Sequence, residues 1–289
     1  MAKTLIRFDW AMKRLLRQKS NFDILEGFLS ELLREDIKIE QILESESNQD
    51  EAGLKFNRVD LLALNSKNQL IIIELQNDSE TDYFYRMLFG TAKAITEHLA
   101  LGDDYRQIKK VYSINIVYFN LGQGDDYVYH GYTEFRGLHR GDLLGLSANQ
   151  QTIFGARDVF EIYPEYYLIK VNNFDNLAKN TLDEWIYYLK NSEVKPGFRA
   201  KGLGLVQKRL EVDDLSEGDR LAYRKAIENK VIERDVLQTA RDEGRAEAAE
   251  ATRRGIVRAL KRGKLTPEEI AEDFGVSVAE VLDIRQTMA

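Results

Sequence analysis

Apolar and polar positions follow two periods along this chain. Between Asn21 and Arg34, the residues Phe22, Leu25, Phe28, Leu29, Leu32 and Leu33 recur at helical spacing and predict a helix with one apolar face. Asn21 stands where its cap belongs. Residues 37–43 alternate and predict a strand, and the small, acidic stretch 44–53 reads as a loop. From Phe56 to Gln76 the sequence FNRVDLLALNSKNQLIIIELQ places two apolar runs around a polar turn. That pattern predicts a hairpin turning at about Ser66–Lys67.

Tyr83, Met87, Leu88, Ala94, Ile95 and Leu99 then sit at helical spacing, with Asp78 or Ser79 as the cap and Gly102 closing the element. Residues 109–119, 127–135 and 164–171 are rich in β-branched and aromatic residues and predict strands. Residues 136–160 read as irregular. A further helix is predicted at 176–192. The composition shifts near residue 193. Stretch 193–213 reads as a linker or loop, and 214–262 as an extended charged helix. After it, Thr266 caps a helix that Pro267 opens, Gly275 turns the chain and Ser277 caps a last helix. The predicted organisation is an α/β core at 1–192, a linker at 193–213 and a helical extension at 214–289 ending in a helix-turn-helix-like pair.

The hairpin carries the chemistry. Asp60 falls nearly opposite Glu74, and cross-strand neighbours have Cβ atoms about 5 Å apart. Side chains alternate along a strand, so Glu74 and Gln76 share a face while Ile73 and Leu75 point the other way. Carboxylates embedded in apolar runs require a partner, a metal ion or a shared proton. Oxygen donors suit a hard divalent ion such as Mg²⁺, which keeps waters of its own. A strand end emerging into solvent would also explain Glu74, so pattern alone leaves both readings open.

The 289 residues are 44% hydrophobic and 10% aromatic, enough for a substantial core. The absence of cysteine excludes disulfides, thiolate metal sites and cysteine nucleophiles and agrees with a cytoplasmic location. No apolar run approaches the length of a membrane span. The net charge of −7 argues against a nonspecific polyanion binder but leaves room for local basic patches. One such patch is 4–19, where Lys13, Arg14, Arg17 and Lys19 intersperse with Trp10, Leu15 and Leu16. It reads as a surface helix with snorkelling cations or as a phosphate contact. Another is 253–264, with Arg253, Arg254, Arg258, Lys261 and Arg262.

His98, His130 and His139 lack ligand spacing on a common helix, which makes a zinc site a poor reading. Gly202 and Gly204 do not follow a strand as a phosphate loop would. The last helix shows Glu280 and Asp283 before Arg285 and Gln286, an acidic face ill suited to reading a DNA groove. Packing or assembly suits this helix pair better.

The Asp60, turn, Glu74-Leu75-Gln76 arrangement resembles the PD-(D/E)XK nuclease superfamily. More narrowly, with YFYRMLFGTAKAITEHLALGDDY at 83–105, KKVYSINIVYF at 109–119, PEYYLIKVNNFDN at 164–176 and the EGRAE run, the chain is similar to the PD-(D/E)XK nuclease family transposases, the recombination-promoting nuclease group. The resemblance spans roughly residues 5 to 260. It implies a restriction-endonuclease-like α/β fold, a mixed central sheet flanked by helices with a helical C-terminal extension. It implies Mg²⁺-dependent cleavage of DNA, with Mn²⁺ as a substitute, in recombination, mobile elements or defence. Asp60 and Glu74 would hold the metal, Glu26 on the preceding helix would be a further acidic ligand, and Gln76 would replace the motif lysine. Gln76 carries no positive charge, and Asn57 and Arg58 precede Asp60 where the motif has its proline. Arg86 would clamp a phosphate, support the metal ligands or pair with Asp82. Tyr83 and Tyr105 read as packing residues. DNA is the implied partner; the C-terminal helices, read on their own as a packing or assembly module, add a second copy of the chain as a candidate partner. The alternative is a weakly catalytic nuclease fold that binds DNA or protein. An assembly driven by the long helices alone is a third reading.

Overall fold

In a computed structural model of the chain, residues 4–43 and 60–287 are described; Asn57, Arg58 and the loop at 44–53 lie outside them. The first unit, Met1–Leu215, contains helices α1 (Phe8–Arg14) and α2 (Phe22–Leu33) and strands β1 (Ile39–Leu43), β2 (Leu61–Asn65) and β3 (Leu70–Gln76). It continues with α3 (Tyr83–Glu97), β4 (Val111–Val117), β5 (Val128–Gly131), α4 (Ala148–Phe154), β6 (Glu165–Lys170), α5 (Thr181–Asn191) and α6 (Leu203–Arg209). The second unit, Ser216–Ala289, contains α7 (Glu217–Arg262), α8 (Pro267–Phe274) and α9 (Val278–Thr287).

The six strands form one mixed sheet in the order β1-β2-β3-β4-β6-β5. Strands β1, β2 and β3 are antiparallel neighbours, whereas β3, β4 and β6 run parallel and β5 pairs antiparallel with β6. The run LIIIELQ becomes β3, buried along nearly its whole length, as an uninterrupted apolar run requires of an inner strand. Parallel pairing of β3 with β4 needs a crossover, and α3 supplies it. The sequence-derived α/β class, a mixed sheet with flanking helices and a helical C-terminal stretch, is the observed one.

The even-numbered residues of β3 face α3, because Leu70 and Ile72 pack with Ala94 of that helix and with Leu62 and Val111. Helix α3 starts at Tyr83, not near Asp78 or Ser79, and ends before Gly102. Its buried stripe is Tyr83, Gly90, Thr91 and Ala94, while Leu88 stays 58% exposed. Its small residues allow close approach to the sheet. Elsewhere α1, α2 and α5 meet at Phe8, Phe28, Trp185 and Tyr188, whose rings pack mostly edge to face.

Two expectations fail here. The irregular stretch 136–160 contains α4, started by a capping box of Ser147 and Gln150. All seven α4 residues are exposed, so no apolar period announces the helix. The stretch 193–213, read as a linker or loop, holds α6 and folds with the first unit. Ala200, Leu203, Val206 and Leu210 are buried, Trp185 Nε1 donates to the Lys201 carbonyl at 3.0 Å, and Ile6 N donates to the Leu210 carbonyl at 2.7 Å. Gly202 does open a helix, α6, although no strand precedes it.

The backbone around Gly202 runs directly against Gly27 of α2, where a Cβ would collide with the Lys201 carbonyl oxygen. Gly27→Ala gains about 1 kcal/mol of helix propensity. Overpacking against backbone that cannot move aside costs more, about 1–3 kcal/mol. The variant is therefore expected to be net destabilised, with a lower urea midpoint and faster proteolysis at 193–202. A midpoint at or above wild type would contradict this close packing.

In the second unit the end of α7 packs against α8 and α9 through Ile256, Ile270, Ala271, Val281 and Ile284. Gly255 makes room for the Phe274 ring. Thr266, Gly275 and Ser277 take their expected places at the helix ends.

Candidate active site

The hairpin register brings the two acids together. Leu61 pairs with Ile73, and one step earlier Asp60 stands level with Glu74. Asp60 Oδ2 accepts a 2.8 Å hydrogen bond from the Leu75 main-chain N–H, which fixes the carboxylate against the end of β3. On its other side β3 pairs Glu74 with Asn115 and Ile72 with Ser113 of β4. Glu74 therefore sits at the carboxyl end of the inner strands, where open α/β sheets place their ligand crevices. A crevice there is lined by Glu74, Ile72, Ser113 and Asn115 from the sheet and by Tyr83, Arg86, Met87, Gly90 and Thr91 from α3.

Glu74 is 6% exposed. Burial, reinforced by the negative charge of Asp60, pushes its pKa up to about 7, against the opposing pull of Arg86 and Lys13. Two carboxylates thus meet in a place with too little solvent to separate their charges. Arg86 answers part of this, donating from one guanidinium nitrogen to Glu74 Oε2 at 3.3 Å and from another to Glu80 Oε2 at 3.0 Å. Burial acts against the Arg86 charge, but Glu74 and Glu80 hold its pKa above the ordinary guanidinium value. This geometry gives Arg86 the role of a charge partner to Glu74 and Glu80. Arg86→Met is expected to push the Glu74 pKa further up, because Glu74 loses a stabilising cation. The pH profile of folding stability, measured by urea midpoints of both proteins in EDTA, should shift accordingly to higher pH. An unchanged profile would contradict this role.

Tyr83 is fully buried and donates to Asn115 Oδ1 at 3.3 Å; burial and the neighbouring Glu74 raise its pKa. Asn115 in turn donates to the Ser113 hydroxyl at 3.0 Å. Tyr105, expected to pack, is 82% exposed instead, on a short turn that its neighbours leave in solvent. Gln76 shares the Glu74 face and donates from Nε2 to the Asp78 carbonyl at 3.3 Å.

Glu26 is engaged elsewhere. Its oxygens accept from Lys38 Nζ and from the Ile39 N–H, both at 2.9 Å, which anchors the start of β1 to α2. Among the described residues no group of three His, Asp or Glu side chains could hold a metal. What remains is an all-oxygen pair, Asp60 and Glu74, with waters to complete any shell. That donor set fits Mg²⁺, which retains several waters and takes one or two carboxylates.

Two pairs of contacts escaped the sequence pattern, those of Lys13 and Arg17 with Asp60 and those of Asn115 and Ser113 beside Glu74. Lys13 Nζ lies 3.3 Å from Asp60 Oδ1, and Arg17 donates to the Asp60 main-chain carbonyl. Asn115 and Ser113 form the polar floor beside Glu74. The basic positions Arg253, Arg254, Arg258, Lys261 and Arg262 are all exposed on α7, with Arg254 paired to Glu250 at 3.1 Å. His130, itself exposed, lies 2.6 Å from Glu165, a buried carboxylate that also pairs with buried Lys110 at 2.7 Å, apart from the crevice.

The family model described as PD-(D/E)XK nuclease family transposase matches residues 6–139. The match takes in α1 to β5 and both acids, and stops short of the wider span over which the sequence shows resemblance. No curated protein and no solved structure matches the chain significantly. Among the described residues no helix is long and apolar enough to cross a membrane.

Proposed function

We propose that the chain is a divalent-metal-dependent DNA endonuclease, a reading supported by the match of residues 6–139 to the model of the PD-(D/E)XK nuclease family transposases. The observation that carries this reading is the convergence of Asp60 and Glu74 at the end of β3, with Glu74 buried and its pKa pushed up to about 7. Each carboxylate meets one cation, Lys13 at Asp60 and Arg86 at Glu74, and a divalent ion such as Mg²⁺ or Mn²⁺ would neutralise both acids at once.

Asp60 and Glu74 would hold the ion. When bound, the ion supplies charge stabilisation at the phosphate and makes a water more acidic. The Leu75 N–H fixes the Asp60 carboxylate and Arg86 fixes that of Glu74, so both ligands are set before substrate arrives. The Gln76 amide orients a water on the Glu74 face but adds no positive charge. The exposed cations of α7 neutralise DNA phosphates without reading sequence. The helices of the second unit are the surface through which two copies associate. We assign this cleavage to recombination, mobile-element movement or defence.

The test is supercoiled plasmid incubated with purified full-length protein in Mg²⁺, Mn²⁺ or EDTA. Nicked or linear product with either metal and none in EDTA supports the reading. Retention of DNA without cleavage in any metal would favour the binding-module alternative.

A further inference from the structure

We propose that Lys13 supplies the catalytic cation that Gln76 cannot, an inference that rests on the nuclease reading above. Helix α1 is rigidly seated. Tyr188 donates its hydroxyl to the Ile6 carbonyl at 2.7 Å, Phe8 packs on Phe28, Trp185 and Tyr188, and Ala11 and Met12 are fully buried. Lys13 leaves the last turn of this helix and brings its ammonium to 3.3 Å from Asp60 Oδ1. Arg17, one turn beyond, holds the Asp60 main-chain carbonyl. The segment 13–17 thus grips Asp60 by side chain and backbone at once.

Three polar side chains compete for the role of the missing lysine. Gln76 is uncharged and donates to the Asp78 carbonyl. Arg86 is engaged by two carboxylates, Glu74 and Glu80. Lys13 touches the acidic pair from the other side and is 55% exposed, so a phosphate entering from solvent can reach it. Its flexible four-carbon stem lets the ammonium turn from Asp60 to that phosphate once a metal takes over the carboxylate.

In the hydrolysis, a water oxygen bonds to phosphorus and the bond from phosphorus to the leaving sugar oxygen breaks. The attacking water loses one proton to solvent, and the leaving oxygen gains one from solvent. Lys13 exchanges neither proton and acts through its charge on the phosphate oxygens. A basic helix that reads in sequence as a solvated surface thereby becomes one wall of the active site.

The experiment uses full-length wild type, Lys13→Met, Gln76→Lys, the double variant and Asp60→Ala. Met keeps the apolar stem and removes the charge. Cleavage is measured at saturating Mn²⁺, and Mn²⁺ binding is measured separately by calorimetry. Lys13→Met should lower kcat by about 100-fold, as loss of a charge-stabilising donor does. Its Mn²⁺ affinity should be unchanged or tighter, because a competing cation has gone. Adding Gln76→Lys should restore most of the lost rate. Wild-type kcat in Lys13→Met, a loss that Gln76→Lys does not repair, or a parallel loss of Mn²⁺ binding would each overturn the inference while wild type cuts and Asp60→Ala does not. If wild type itself cuts no better than Asp60→Ala, the nuclease reading fails and this inference falls with it.

Discussion

Metal-free Glu74→Gln protein is expected to be more stable than wild type at pH 8, by about 1–3 kcal/mol, and no more stable at pH 4. The sign follows from the raised pKa of Glu74, about 7 in the folded chain against an ordinary value of 4.5. A carboxyl so shifted binds its proton more tightly folded than unfolded. Its stabilising contribution is fully present below about pH 4.5 and is lost as pH rises through about 7. Above that range wild type must carry a buried charge beside Asp60, whereas Gln remains neutral in the same shape. On the proposed function, divalent metal is expected to reverse the order, by binding the folded wild type and stabilising it by mass action. Urea midpoints at pH 4 and pH 8, in EDTA and then in excess Mg²⁺, check both halves. A Glu74→Gln protein less stable than wild type at pH 8 in EDTA would mean that the carboxylate is already satisfied without a metal.

Asp60→Ala and Glu74→Ala should each lower cleavage by at least about 100-fold, the order expected when a metal ligand or its immediate support is removed. The two should differ in stability. Asp60→Ala removes the acceptor of the Leu75 N–H and frees Lys13, at a cost of about 1–2 kcal/mol. It also relieves the repulsion that raises Glu74, so the net change in metal-free stability is small. Glu74→Ala leaves Arg86 facing a cavity in the crevice beneath α3, with Glu80 still bound. Melting temperature separates these folding effects from the loss of chemistry.

The core of the site was legible because a hairpin is a local device. Its turn and its alternation set the register, and the register alone places Asp60 level with Glu74. The same holds for the buried run of β3 and for the caps at Thr266 and Ser277. Lys13 and Arg17 were legible only as cations on a basic helix. Their contacts with Asp60 cross more than forty residues of chain, and no local period encodes that pairing. Asn115 and Ser113 lie within a predicted strand, and only the pairing of β4 with β3 places them beside Glu74 and Ile72. Glu26 shows the converse. The resemblance implied a ligand at this position, but the carboxylate anchors the first residue of β1 and Lys38. The buried stretch at 193–213 was recoverable in principle, since Leu203, Val206 and Leu210 keep helical spacing. The glycines and lysines around them dominated the composition and hid it.

The measurement that bears most directly on the central claim is the initial rate of plasmid nicking in Mn²⁺ by wild type and Asp60→Ala, purified in parallel and matched in melting temperature. The account predicts metal-dependent nicking by wild type and essentially none by the variant. Equal rates in the two proteins would contradict it.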